Sequence, residues 1–191
     1  MKKFYIIYLI ICFFHTITFG QTLYNVSTTE DFEDAAVLVG PGDTINVLPG
    51  VYDTEGSITF YCSGEEGAPI VVQAAVPGEV ELTGESYFDF RQCAYMIIQG
   101  FKFTGTDNTA IKFQACHHMR LTNNLFALNE TESLKWVIIG GIWNDPNAMS
   151  HHNRIDHNTF VGKHKTGNMI TVDGSPDPVY LSSQHDRIDH N

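Results

Sequence analysis

Arg120-Leu-Thr-Asn-Asn124-Leu-Phe126 returns as Arg154-Ile-Asp-His-Asn158-Thr-Phe160, and a third time as Arg187-Ile-Asp-His-Asn191. The steps are 34 and then 33 residues. A shorter step of 23 residues precedes them. There Phe90-Arg-Gln-Cys93-Ala-Tyr-Met96-Ile-Ile98 lies over Phe113-Gln-Ala-Cys116-His-His-Met119-Arg-Leu121, and the match runs on to Phe103 over Phe126. Further upstream, Ala68-Pro-Ile-Val-Val-Gln73-Ala resembles Ala94-Tyr-Met-Ile-Ile-Gln99-Gly. One unit recurring with variable insertions is the signature of a solenoid, because each turn stacks on the last and extra residues leave as loops. The runs inside the unit are short and β-rich: Thr44–Leu48, Ile70–Ala74, Glu79–Thr83, Tyr95–Gln99, Met119–Thr122, Trp136–Ile139, Arg154–His157 and Met169–Val172. The solenoid is therefore a β-helix.

The repeated positions have a physical logic. Leu121, Ile155 and Ile188 predict one inward apolar column, and Phe103, Phe126 and Phe160 a second. Asn124, Asn158 and Asn191 fall at a strand end, where stacked amides can hydrogen-bond along the axis as a structural ladder. Asn also tolerates the left-handed backbone of a tight corner. Apart from Asp173-Gly174 in a loop-like stretch, no two-residue Asn-Gly or Asp-Gly hairpin intervenes between the matched runs, as a sandwich would require. One helix is predicted at the start. Ser27 and Thr28 can cap it, Glu30 stands three after Ser27 as in a capping box, and Phe32, Ala35, Ala36 and Val39 form its apolar stripe. Gly40-Pro41-Gly42 ends it, and a solenoid end needs such a cap.

The first 20 residues predict a cleavable signal peptide. Lys2 and Lys3 precede the apolar run Phe4 to Phe14, and Thr18-Phe19-Gly20 offers small residues before Gln21. Residues 21–191 are then a secreted or periplasmic domain with no membrane span. Cys62, Cys93 and Cys116 remain, too few for a disulfide scaffold, and there is no Cys-x-x-Cys. Cys93 and Cys116 would stack in adjacent coils. A net charge of −11 argues against general nucleic-acid binding. His117, His118, His151, His152, His157, His164, His185 and His190 crowd the second half. Repetition of His157 with His190 favours a structural role for them over zinc binding. The same argument pairs Arg120, Arg154 and Arg187 with nearby aspartates rather than with ligand. Lys163, His164 and Lys165 form a basic loop suited to the edge of a groove for a polyanionic sugar.

Several of these pieces, in this order, resemble a known family. They are Pro41-Gly-Asp-Thr-Ile45 with Pro49-Gly50-Val-Tyr52, Ala68-Pro-Ile70 with Pro77-Gly78-Glu-Val80 and Leu82-Thr-Gly84, and Tyr95-Met-Ile-Ile-Gln-Gly-Phe101. The most specific is Asn153-Arg-Ile-Asp-His-Asn-Thr-Phe160-Val-Gly-Lys163 with Gly167 and Met169–Val172. Together they are similar to the N-terminal part of polysaccharide lyase family 6, the alginate lyases and chondroitinase B. The resemblance implies an all-β, single-stranded right-handed parallel β-helix, a pectin-lyase-like solenoid, with a short N-terminal capping helix.

It also implies a secreted bacterial lyase acting on an anionic polysaccharide, alginate first and dermatan sulfate second, by β-elimination. Such a reaction removes the C5 proton of a uronate, so charge building on its carboxylate must be neutralised. In the family a Ca²⁺ does this, with a Lys base and an Arg. Those groups are expected downstream of Asn191, so no catalytic or metal-ligating residue is assigned within this chain, which is expected to be a truncated, inactive piece. Lys163 is the one substrate-binding candidate, because it matches a position recurrent in the family. The alternative function is a non-catalytic β-helix that binds carbohydrate or serves adhesion.

Overall fold

The computed structural model describes residues 20–142, 145, 147–173 and 183–191. The predicted signal peptide lies outside the described residues, save Gly20. The chain winds through three parallel sheets, giving one strand to each per turn. Sheet A has seven strands: Leu23–Val26, Thr44–Val47, Ile70–Ala74, Met96–Gln99, Arg120–Thr122, Arg154–Asp156 and Arg187–Asp189. Sheet B stacks Gly50–Tyr52, Val80–Leu82, Phe101–Phe103, Leu125–Phe126 and Thr159–Phe160. Sheet C stacks Ser57–Phe60, Tyr87–Arg91, Ile111–Gln114, Val137–Gly140 and Ile170–Val172. This is a parallel β-helix, and the registers Phe90↔Phe113, Arg120↔Arg154 and Arg154↔Arg187 are the repeat steps of the sequence.

Alternation along each strand sends one residue inward and the next outward. On sheet A, Ile45, Val72, Ile98, Leu121 and Ile155 are fully buried in one column. On sheet B, Phe103, Phe126 and Phe160 stack with centroids 4.8 and 4.7 Å apart and planes within 7°. Such a stack buries large apolar area and adds ring–ring attraction, about 0.5–1.5 kcal/mol per pair beyond burial. Cys93, Cys116 and Cys62 are free thiols; Cys93 and Cys116 each donate to a carbonyl one coil back, Phe60 and Phe90, at 3.2 Å.

The helix Thr29–Leu38 closes the first turn, with Phe32, Ala35 and Ala36 buried. Phe32 meets Phe88 edge-on at 5.5 Å, plugging the end of the core. Thr28, one of the two expected caps, is the N-cap, but the pairing within the box is shifted by one residue. Thr28 accepts from the Asp31 amide at 3.1 Å, while the Asp31 carboxylate accepts from the Ser27 amide and hydroxyl. The box is thus Thr28–Asp31 rather than Ser27–Glu30, because Glu30 sits a residue too early to reach back.

The corners also differ from expectation in one detail. Left-handed backbone falls on Gly100, Asn123, His157 and His190, each the residue before the ladder position. Turning the chain there leaves Asn124 and Asn158 free to point inward, both 3 % exposed. Asn124 Nδ2 donates to Asn158 Oδ1 at 3.0 Å, and Asn158 Nδ2 to Asn191 Oδ1 at 3.1 Å. The same oxygens accept backbone amides from the coil before, Phe101, Asn124 and Asn158 in turn. Among the described residues no helix is long and apolar enough to cross a membrane.

Candidate functional site

The outer face of sheet A carries two columns whose chemistry changes along the axis. One runs Leu23, Thr44, Val71, Ile97, Arg120, Arg154, Arg187, and the other Asn25, Asn46, Gln73, Gln99, Thr122, Asp156, Asp189. The early half is an amide ladder. Asn46 donates to Asn25 at 2.9 Å, Gln73 to Asn46 at 3.2 Å, and Gln99 to Gln73 at 3.1 Å. Beside it, at the corner towards sheet B, lies a groove of about 470 Å³ lined by Gln73, Ala74, Ala75, Pro77, Gln99, Gly100 and Asn123. Amides that donate and accept, next to a shallow groove, suit a polyhydroxylated ligand. Sequence matching aligned Gln73 with Gln99, but Asn25 and Asn46 precede the recognisable repeats and were not legible as part of it.

The later half of the same face is ionic. Arg120 grips Asp156 with two bonds, Nε to Oδ1 at 3.0 Å and Nη2 to Oδ2 at 2.9 Å. Arg154 adds a third contact to Asp156 at 3.0 Å, and Arg187 holds Asp189 at 2.8 Å. The Asp156 side chain is wholly buried under these arginines. The Arg120 hydrogen bonds, opposed by burial and aided by His157 and by Arg154, hold its carboxyl far below the usual carboxylate range. The arginines are thus paired with aspartates, and the guanidinium of Arg187 is the most exposed of the three.

Lys163 lies elsewhere, between the loops that join sheets B and C. Its ammonium is paired with Glu130, donates to the Leu134 carbonyl at 3.0 Å, and sits 4.9 Å from the Trp136 ring centre. Lys163 and Glu130 side chains are 8 % and 1 % exposed. Glu130 also accepts from the Trp136 indole at 2.7 Å and from the amides of His164 and Lys165. Burial pushes this carboxyl up, but Lys163, the Lys165 amide and Trp136 outweigh it and hold it below its ordinary value. The basic loop is therefore fastened inward by a buried acid 33 residues earlier, a partner outside the repeat pattern.

Among the described residues no group of three or more His, Cys, Asp or Glu side chains converges to hold a metal ion. Asp156 and Asp189, the aspartates on the outer face of sheet A, are committed to arginines. The histidines stack coil on coil, His157 on His190 at 5.3 Å and His117 on His151 at 4.8 Å.

A family profile described as Chondroitinase B matches residues 26–191. Among solved structures, the PL6 family alginate lyase AlyGC aligns with a TM-score of 0.75 and 28% identity, over 89% of this chain and 23% of that one. A mannuronic acid specific polysaccharide family 6 lyase from the human gut microbiota aligns at 0.71 and 22% identity, over 90% and 40% of the two chains. The PL6 family polysaccharide lyase Pedsa3628 from Pseudopedobacter saltans aligns at 0.60 and 21%, over 79% and 34%. At those last two identities the likeness is one of fold. This chain spans about a quarter of the length of AlyGC. No curated protein sequence matches it.

Proposed function

Since the chain belongs to polysaccharide lyase family 6, the chondroitinase B family, we propose that it supplies the early coils of a secreted lyase that cleaves alginate by β-elimination. The family match over residues 26–191 carries this reading. Export rests on Lys2, Lys3 and the apolar run that follows them.

The residues on sheet A would act as a binding face. Gln73 and Gln99, with the groove beside them, would hydrogen-bond sugar hydroxyls. Arg187, the most exposed of the three arginines, would meet the carboxylate of a uronate. Lys163 would act on the substrate through the loop it holds rather than by direct contact. In the family Ca²⁺ supplies neutralisation of the uronate carboxylate; Asp156 and Asp189 cannot serve it while paired with arginine.

Dermatan sulfate is the second candidate substrate, in keeping with a family profile described as Chondroitinase B. The test is an assay of the full-length protein that carries these coils, on alginate and on dermatan sulfate, following ultraviolet absorbance of the unsaturated uronate with and without a chelator. Product from alginate supports the proposal, and product from dermatan sulfate alone transfers it to the second substrate. Product from neither, with retained binding, overturns catalysis and leaves a carbohydrate-binding β-helix.

A further inference from the structure

At the corner from sheet C to sheet A, each coil from the third onward places two residues between left-handed turns or beside one. In an extended strand neighbouring side chains point to opposite faces. A left-handed residue breaks that rule. His118 and His152 both have φ of 55°, and each brings its ring to the same side as the residue before it. As a result Nδ1 of His117 lies 3.0 Å from Nδ1 of His118, and Nδ1 of His151 lies 3.0 Å from Nδ1 of His152. The geometry is built twice. His117 stacks on His151 at 4.8 Å and His118 on His152 at 5.3 Å, in both cases with planes 2° apart. Tyr95 and His185 extend the second column on either side.

We propose that these histidine pairs are a surface site for a divalent transition metal of the Cu²⁺ or Ni²⁺ type, each pair acting as a two-nitrogen chelate. Imidazole nitrogens bound at about 2.0–2.1 Å and at right angles on one ion stand about 2.9 Å apart. The observed 3.0 Å matches that bite. Tetrahedral coordination would spread the nitrogens to about 3.3 Å at the same bond length, so the pair suits tetragonal ions better than Zn²⁺. Both pairs are solvent-accessible, which leaves the other coordination positions to water.

In the metal-free protein the 3.0 Å contact is a hydrogen bond when one ring of each pair carries its proton on Nδ1. Binding requires that ring to give up its Nδ1 proton and take one from solvent at Nε2. Both rings stay neutral and both Nδ1 lone pairs face the ion. Two dications on adjacent coils repel each other, so the second pair should fill more weakly than the first.

The experiment is calorimetric titration of the untagged full chain with Cu²⁺ and with Ni²⁺, alongside the electron paramagnetic resonance spectrum of the Cu²⁺ form. The variant carries His117→Gln and His151→Gln together. Gln184 occupies this column on the next coil, opposite His151, so glutamine fits the site. Expected are binding by the parent, nitrogen hyperfine structure from two imidazoles, and affinity reduced by about 10- to 100-fold in the variant. Millimolar Ca²⁺ should not compete, since imidazole is a poor calcium ligand. The proposal is overturned if the parent binds neither ion, if Ca²⁺ displaces them, or if a folded variant binds as the parent does. Should the variant not fold, a parent spectrum without coupling to two imidazoles overturns it equally.

Discussion

The side-chain amide of Asn158 bridges three coils: it donates to Asn191 Oδ1 at 3.1 Å and to the Leu121 carbonyl at 2.9 Å, while its oxygen accepts from Asn124. A buried amide so placed satisfies groups that no backbone pairing reaches. Asn158→Ala leaves the Asn124 amide and the Leu121 carbonyl bare. Each exposed debt of this kind costs about 1–3 kcal/mol. Urea unfolding should show a lowered midpoint, and an unchanged midpoint would remove the ladder from the list of stabilising features.

Asp156 gives the protein a defined acid response. Its folded-state carboxyl lies below the ordinary carboxylate value, so it contributes stability above that value, and the contribution is lost as pH falls through and below it. Asp156→Asn should therefore weaken the protein at neutral pH, by about 1–3 kcal/mol given partly exposed arginines. The difference from the parent should shrink on acidification. Thermal melts across the acid range would show it; a difference that grows as pH falls would refute the assignment.

The Glu130–Lys163 pair is buried, and removing one partner strands the other. Glu130→Gln and Lys163→Met should each destabilise strongly, on the order of 3–5 kcal/mol. The double variant should cost much less than the sum. Equality with the sum in a double-mutant cycle would mean that the two groups do not act as a pair.

Gly167 belongs to the same loop junction. It has φ of 114°, and a Cβ there would lie 2.3 Å from the Leu134 carbonyl, the acceptor of Lys163. Gly167→Ala must move that backbone and strain its own, a loss of about 1–3 kcal/mol. Limited proteolysis should cut the 127–136 and 161–169 loops faster in the variant, while a parent-like pattern would show that the junction yields freely.

The repeated motif made most of sheet A and parts of sheets B and C legible in the sequence, because inward positions recur with fixed chemistry. Strands of two or three residues, such as Leu125–Phe126 and Thr159–Phe160, carry too little alternation to be seen alone. The sequence offers Thr28 as a cap but not the choice between it and Ser27, because both are competent caps and only backbone angle chooses between them. Lys163 stood out by its motif, yet its partner Glu130 lies in an insertion with no counterpart in other coils. The histidine pairs were visible as residues, but their convergence depends on left-handed corners that composition does not announce.

Because every strand pairs only with those one coil away, strand partners in this fold are separated by roughly one turn of chain, and the side-chain hydrogen bonds between coils span 21 to 38 residues. No strand has to wait for distant chain to find its partner, although Phe32 of the plugging helix does meet Phe88 two coils on. Assembly can start at the helix-plugged end and add coils in the order in which they emerge, each new one templated by the last. Pulse-labelled hydrogen exchange during refolding should then protect Ile45 and Val72 before Ile155, and the reverse order would place the nucleus at the other end.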